Sequence, residues 1–231
     1  MLGLVSLSYA SFMLGFVHGF DADHMVEMTD FVSQDPHPVR AMKFGLKFGL
    51  GHTSTVMVLG LLAIALKFAV PDAFAASFEL ASGVLLIVLG AWSIHRRFFR
   101  KVQPNPHQHG IGHRHPHNHS QLDHTVFKYG PVITGIITGM AGTAGVMLFG
   151  PVAAAKSIVV AAGFILLYGV GVITAMSIYG LVISRMFGLA NHHGKITKLV
   201  SAVTGLISII IGLVWISRAA GGLFIMVKNL V

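Results

Sequence analysis

Residues 157–184 read Ser-Ile-Val-Val-Ala-Ala-Gly-Phe-Ile-Leu-Leu-Tyr-Gly-Val-Gly-Val-Ile-Thr-Ala-Met-Ser-Ile-Tyr-Gly-Leu-Val-Ile-Ser, without one charged side chain. Roughly 20 apolar residues carry a helix across the hydrocarbon core of a bilayer. The run exceeds that length, so it predicts a membrane span with room to tilt or kink. Similar stretches at 2–22, 44–69, 77–95, 129–150 and 196–219 bring the expected total to six transmembrane helices. The first lacks a basic leader region and a small-residue cleavage site, so it reads as a retained span, not a signal peptide. Residues 96–128 are too polar for a membrane interior.

Composition agrees. The 231-residue chain is 54% hydrophobic and 10% charged, where a soluble domain carries roughly 25% charged residues. Its mean hydropathy is +0.76. These values exclude a disordered chain, a nucleic-acid-binding domain and most soluble enzymes. The net charge of +8 and pI of 10.1 therefore do not point to nucleic acid. In a membrane protein, excess Lys and Arg mark cytoplasmic loops. The loops after spans one, three and five carry Arg40, Lys43, Arg96, Arg97, Arg100, Lys101, Arg114, Lys128, Arg185, Lys195 and Lys198. That bias predicts a plasma (inner) membrane protein with these loops in the cytoplasm and both termini outside. There is no cysteine, hence no disulfide and no thiolate ligand.

The two halves of the chain resemble each other. Residues 49–61 align without gaps to 169–181, with three glycines and the final leucine matching at an offset of 120. The same offset sets His18 over Thr138 and Asp23 over Thr143. Span three fits span six at an offset of 122, with Gly83 over Gly205 and Gly90 over Gly212. Three spans per half is an odd number, so a duplicated half must run inverted, as in many transporters. The expected architecture is all-α, two inverted three-helix repeats: 1–95, then a histidine-rich loop 96–128, then 129–220, with a tail at 221–231.

The chemistry concentrates in His18-Gly19-Phe20-Asp21-Ala22-Asp23-His24. Imidazole nitrogens together with carboxylate oxygens suit a borderline divalent cation. Calcium and magnesium sites use oxygen alone. On a regular helix His18, Asp21 and His24 share one face while Asp23 lies off it, so all four converge only if the helix distorts, Gly19 being the natural place. A second piece, Gly51-His52-Thr53-Ser54, lies early in span two. A histidine in an apolar helix is costly unless it faces protein, water or an ion. His52 is thus a candidate ligand, and Thr53 and Ser54 are candidates for supporting it. Glu27, Asp30 and Asp35 read as solvated residues at the end of a span.

The His-x-x-x-x-Asp-His pattern of His18, Asp23 and His24 resembles the signature helix of the nickel/cobalt transporter superfamily. Gly51-His52-Thr53-Ser54 is similar to that family's second motif. The short six-span layout with a histidine-rich middle loop looks most like its UreH-like branch. The resemblance implies membrane transport of Ni²⁺ or Co²⁺, bound by His18, Asp21, Asp23, His24 and His52. The chain departs from the longer family members in span four. There Gly139-Met140-Ala141-Gly142-Thr143 has neither Asp nor His, which leaves Thr138 and Thr143 as that half's polar contribution.

The middle loop holds His107, His109, His113, His115, His117, His119 and His124 among prolines and glycines. Such a tract binds divalent metals with loose geometry and reads as a buffer or delivery segment. The resulting expectation is a non-enzymatic transporter with Ni²⁺ or Co²⁺ as cargo (Zn²⁺ or Fe²⁺ as alternatives) and no resident cofactor. Its partners are the lipid bilayer and a cytoplasmic metallochaperone, with no nucleic acid. Two readings of other classes stay open. A membrane metalloenzyme of the desaturase or hydroxylase kind needs repeated histidine boxes that this chain lacks; a non-transporting metal-binding accessory protein differs in having no flux. No Gly-x-x-x-x-Gly-Lys-Ser/Thr loop is present to couple ATP.

Overall fold

The structure is a computed structural model and describes residues 2–66, 72–99, 121–141, 157–190 and 194–230, with Val152 and Ala155 between. The described residues form seven helices and no strand: α1 Leu2–His18, α2 Ala22–Gln34, α3 Pro38–Leu66, α4 Asp72–Phe99, α5 Gln121–Met140, α6 Ile158–Ala190 and α7 Gly194–Leu230. All-α architecture is as expected. Among them Ala76–Phe99, Ile158–Leu189 and Lys198–Gly221 are long and apolar enough to cross a membrane, and the bent pair α1 and α2 passes the same test as one broken span. The remaining helices carry charge in their first part, with Arg40, Lys43 and Lys47 in α3 and Asp123 and Lys128 in α5, and are free of Asp, Glu, Lys and Arg beyond it.

The first expected span, 2–22, stops at His18. The Gly19 and Asp21 amides donate to the Gly15 and His18 carbonyls, and α2 leaves at 57° to α1. The helix thus distorts at Gly19, where a missing side chain makes such a turn cheap. The polar segment that follows is a helix and not a loop. Asp21, in extended backbone, starts α2, and the Asp23 carboxylate accepts the His24 amide at 3.0 Å. α2 ends before Pro36, and Pro38 opens α3, where a missing amide costs nothing. Helix also extends beyond three expected boundaries: α4 runs on to Phe99 and α5 begins at Gln121, both inside the stretch assigned to the middle loop, and α7 runs on to Leu230.

α4 packs along α7, and α3 lies between α5 and α6, with α1 against α6. α2, the shortest and most polar helix, touches α3, α4, α5, α6 and α7 and so sits at the centre. Around it gather Phe31, Phe44, Phe48, Ile165, Tyr168 and Met176, all buried. Large apolar side chains such as Val159, Leu166, Leu189 and Leu213 face outward, which is the surface a bilayer solvates.

Glycines set the closest contacts, and these contacts recur in pairs. A Cβ at Gly15 would meet the backbone of Tyr168, and one at Gly135 would meet that of Phe48. Gly51 lies against Val132 and Ile136, whereas Gly171 lies against Phe12 and Phe16. Gly83 faces Gly212, and Gly90 faces Gly205. In the first two pairs each contact maps onto the other by an exchange of 120 positions, and in the third by 122.

Candidate metal centre

The break between α1 and α2 leaves His18 as the last residue of one helix and puts His24 in the first turn of the next. α3 brings His52 to the same place. Their ring centroids form a triangle with sides of 4.7 Å (His18–His24), 5.1 Å (His18–His52) and 5.0 Å (His24–His52). One ring nitrogen from each lies within 4.8 Å of the others, a spacing that a single ion closes with small ring movements. His18 is 3% exposed, His24 1% and His52 0%.

Hydrogen bonds orient two of the rings. His18 Nδ1 lies 2.9 Å from the Asp21 carboxylate, a contact that fixes the ring with Nδ1 toward that carboxylate and Nε2 on the opposite side. His24 Nδ1 lies 3.1 Å from the His18 carbonyl, which fixes the donor at Nδ1, since a carbonyl oxygen only accepts. A metal-binding histidine is commonly held in this way through its second nitrogen. Both ring nitrogens of His52 are buried without a hydrogen-bond partner. A buried unsatisfied polar atom costs about 1–3 kcal/mol, a cost that an ion would offset. Tyr168 and Phe48 wall the cluster, with Tyr168 5.6 Å from His18 and Phe48 5.1 Å from His24 between ring centroids.

The structure therefore brings together His18, His24 and His52 out of the residues singled out in sequence. Asp21 stands behind His18, and Asp23 is engaged at the His24 amide. The Thr53 hydroxyl is buried without a hydrogen bond and its side chain fills the space beside Gly169. Ser54 is exposed and bonds the Leu50 carbonyl of its own helix at 2.7 Å. Thr138 is buried and donates to Thr134 at 2.9 Å, while its neighbour Gly139 lies against the His52 backbone. Thr143 and His107, His109, His113, His115, His117 and His119 lie outside the described residues; His124 falls in the first turn of α5.

Two residues were misread. Glu27 and Asp30 are not solvated: both are 0% exposed. They sit on α2, which the five surrounding helices enclose. Asp30 accepts a hydrogen bond from Ser208 of α7 at 2.6 Å, and neither Glu27 oxygen has a partner. The available signal was their spacing from Asp23 on a helical stripe, masked by the expectation of a loop. Asp35, in contrast, does lie toward the surface, paired with Arg40 at 2.6 Å.

Fold and centre together define a class: an all-helical membrane protein with a histidine cluster sealed between its helices. No protein-family profile matches the chain, and no solved structure does. The chain is similar along nearly its whole length to the urease accessory protein UreH of Bacillus sp. (strain TB-90), with 26% identity over 220 residues, covering 91% of this chain and 90% of UreH. That likeness bears out the expected resemblance to UreH-like proteins.

Proposed function

We propose that this chain moves a divalent transition-metal ion, Ni²⁺ or Co²⁺, across the membrane, binding it at His18, His24 and His52. The observation that carries the reading is three imidazoles from three helices within one ion's reach, buried in a water-poor interior. Imidazole nitrogen suits nickel and cobalt better than calcium or magnesium. Asp21 orients His18. Asp23, on the first turn of α2, supplies negative charge near the ion and is the carboxylate that completes the set. The likeness to a urease accessory protein fits a nickel cargo.

The reading includes six spans arranged as two inverted repeats. The paired glycine contacts support it, because a two-fold relation between repeats maps each inter-repeat contact onto a second one. It also includes cytoplasmic placement of the 96–128 stretch, from the charge bias, with its histidines buffering metal on that side or passing it to a metallochaperone. The test is ⁶³Ni²⁺ flux into liposomes holding the purified chain. Flux that disappears in His24→Ala and His52→Ala, with insertion unchanged, is the expected result. Metal binding without any flux in the wild type would leave an accessory metal-binding protein instead, and wild-type flux in both variants would remove the site.

A further inference from the structure

The centre of the bundle holds more carboxyl groups than the histidine cluster uses. Asp23, Glu27 and Asp30 are spaced i, i+4, i+7 on α2, which puts them on one stripe of that helix. At 1.5 Å of rise per residue, Glu27 lies about 4.5 Å along the axis from His24, and Asp30 about as far again. The stripe starts at the histidines and runs toward the turn between α2 and α3, where Asp35 meets Arg40 near the surface.

The environment of these carboxylates is unusual. Glu27 and Asp30 are wholly buried. Among the described residues neither forms an ion pair, since the two ion pairs there are His18–Asp21 and Arg40–Asp35. Both Glu27 oxygens and Asp30 Oδ1 lack any hydrogen-bond partner. The surrounding polar groups are hydroxyls: Ser208 donates to Asp30, and Ser93 lies alongside, held by Gln34 at 3.1 Å. Burying a carboxyl group whose oxygens lack hydrogen-bond partners is costly even in its neutral form. Helix packing does not require it, because an apolar residue would fill the same space at no such cost. The unpartnered oxygens of Glu27 and Asp30, one helical turn apart on α2, are donors that a cation would satisfy.

We infer that Glu27 and Asp30 form a second cation station, built of oxygen donors and distinct from the histidine cluster. Its ligand class is a divalent metal ion. Oxygen donors hold hard cations such as Mn²⁺ readily and hold Ni²⁺ or Co²⁺ less tightly than imidazole does. Binding at the station stands independently of transport. Its role as the place an ion reaches after leaving the imidazoles, on the way to the α2–α3 turn, rests on the transport reading. A strong nitrogen site followed by a weaker oxygen site lets an ion be captured and still be released.

The experiment titrates Mn²⁺ into the purified full-length chain and reads binding by electron paramagnetic resonance. One bound Mn²⁺ without nitrogen coupling is expected, which separates the station from any histidine, those of the middle loop included. Its affinity should fall at least about tenfold in Glu27→Gln and again in Asp30→Asn, each of which removes one charged ligand. It should persist in His24→Ala and His52→Ala. Either carboxamide variant that folds is sufficient, with folding checked by gel filtration and Ni²⁺ binding at the histidines. Mn²⁺ bound equally by wild type and both carboxamide variants, Mn²⁺ coupled to nitrogen, or no Mn²⁺ bound at all would overturn the station. Wild-type Mn²⁺ binding with no Ni²⁺ flux would remove the transport reading and leave the station in place. With flux present, Glu27→Gln should slow it while Ni²⁺ affinity at the histidines holds; undiminished flux would show that the station is off the path and overturn its proposed role.

Discussion

Gly19 at the end of α1 is overlain by Ala175 and Val172 of α6, and Gly139 at the end of α5 is overlain by His52 of α3. At Gly19 the nearest atom is the Ala175 Cβ with the Val172 carbonyl behind it, and at Gly139 it is the His52 backbone, so both places are close approaches that leave no room for a side chain. The side chains differ altogether: His18, His24 and His52 have Thr138, Ala144 and Val172 as counterparts 120 positions on. Close approach needs only an absent side chain, which any glycine supplies. Ligation needs a lone pair in a particular orientation. One packing plan thus accommodates a half with three clustered imidazoles and a half with none at the three matching positions, and the two requirements fall on different residues.

The largest effect expected from this contrast is on metal affinity. His24→Ala or His52→Ala should weaken Ni²⁺ binding by at least about 100-fold, since even the groups that merely support a ligand are worth 10–100-fold. Val172→Ala, at the counterpart of His52, should leave affinity unchanged in the same calorimetric titration. A comparable loss in Val172→Ala would break the contrast. Next in size is a stability effect shared by the two halves. Gly15→Leu and Gly135→Leu should each destabilise by about 1–3 kcal/mol through overpacking, lowering the thermal midpoint by similar amounts. A shift in only one variant would deny the paired geometry. Asp21→Asn is a finer probe: it keeps size and removes the carboxylate charge facing His18 Nδ1, so Ni²⁺ affinity should drop about tenfold, with no change in the thermal midpoint of the metal-free chain beyond that of an exposed-residue control. Smallest is Thr138→Val. Its hydroxyl bonds only its own helix, so the loss should stay within about 1 kcal/mol of stability, and nickel affinity should be that of the wild type. A tenfold loss there would make the second half a contributor to the site.

Much of this was legible in the order of residues, for identifiable reasons. Histidines inside apolar runs stand out because the interior of a membrane tolerates them poorly, so His18, His24 and His52 could be picked before any coordinates. The break at Gly19 followed from the spacing, since one face of a straight helix cannot gather both His18 and Asp23. What escaped was α2. A window that measures hydrophobicity stops at Asp21, and Glu27 and Asp30 then look like loop residues in water. They are buried because five other helices close around that segment, and no local property of residues 22–34 reports what will surround them. The roles of Asp21 and Asp23 were likewise beyond reach: both are carboxylates beside a histidine, and only geometry separates the one on His18 Nδ1 from the one on the His24 amide.

The 57° joint between α1 and α2 has a mechanical consequence. His18 is on one arm of the joint and His24 on the other, so an ion held by both acts as a strut across the elbow. Any flexing of the elbow lengthens or shortens the span between the two rings. A centre loaded in the proposed way would tie the two arms together across the joint, because each arm carries one of the imidazoles.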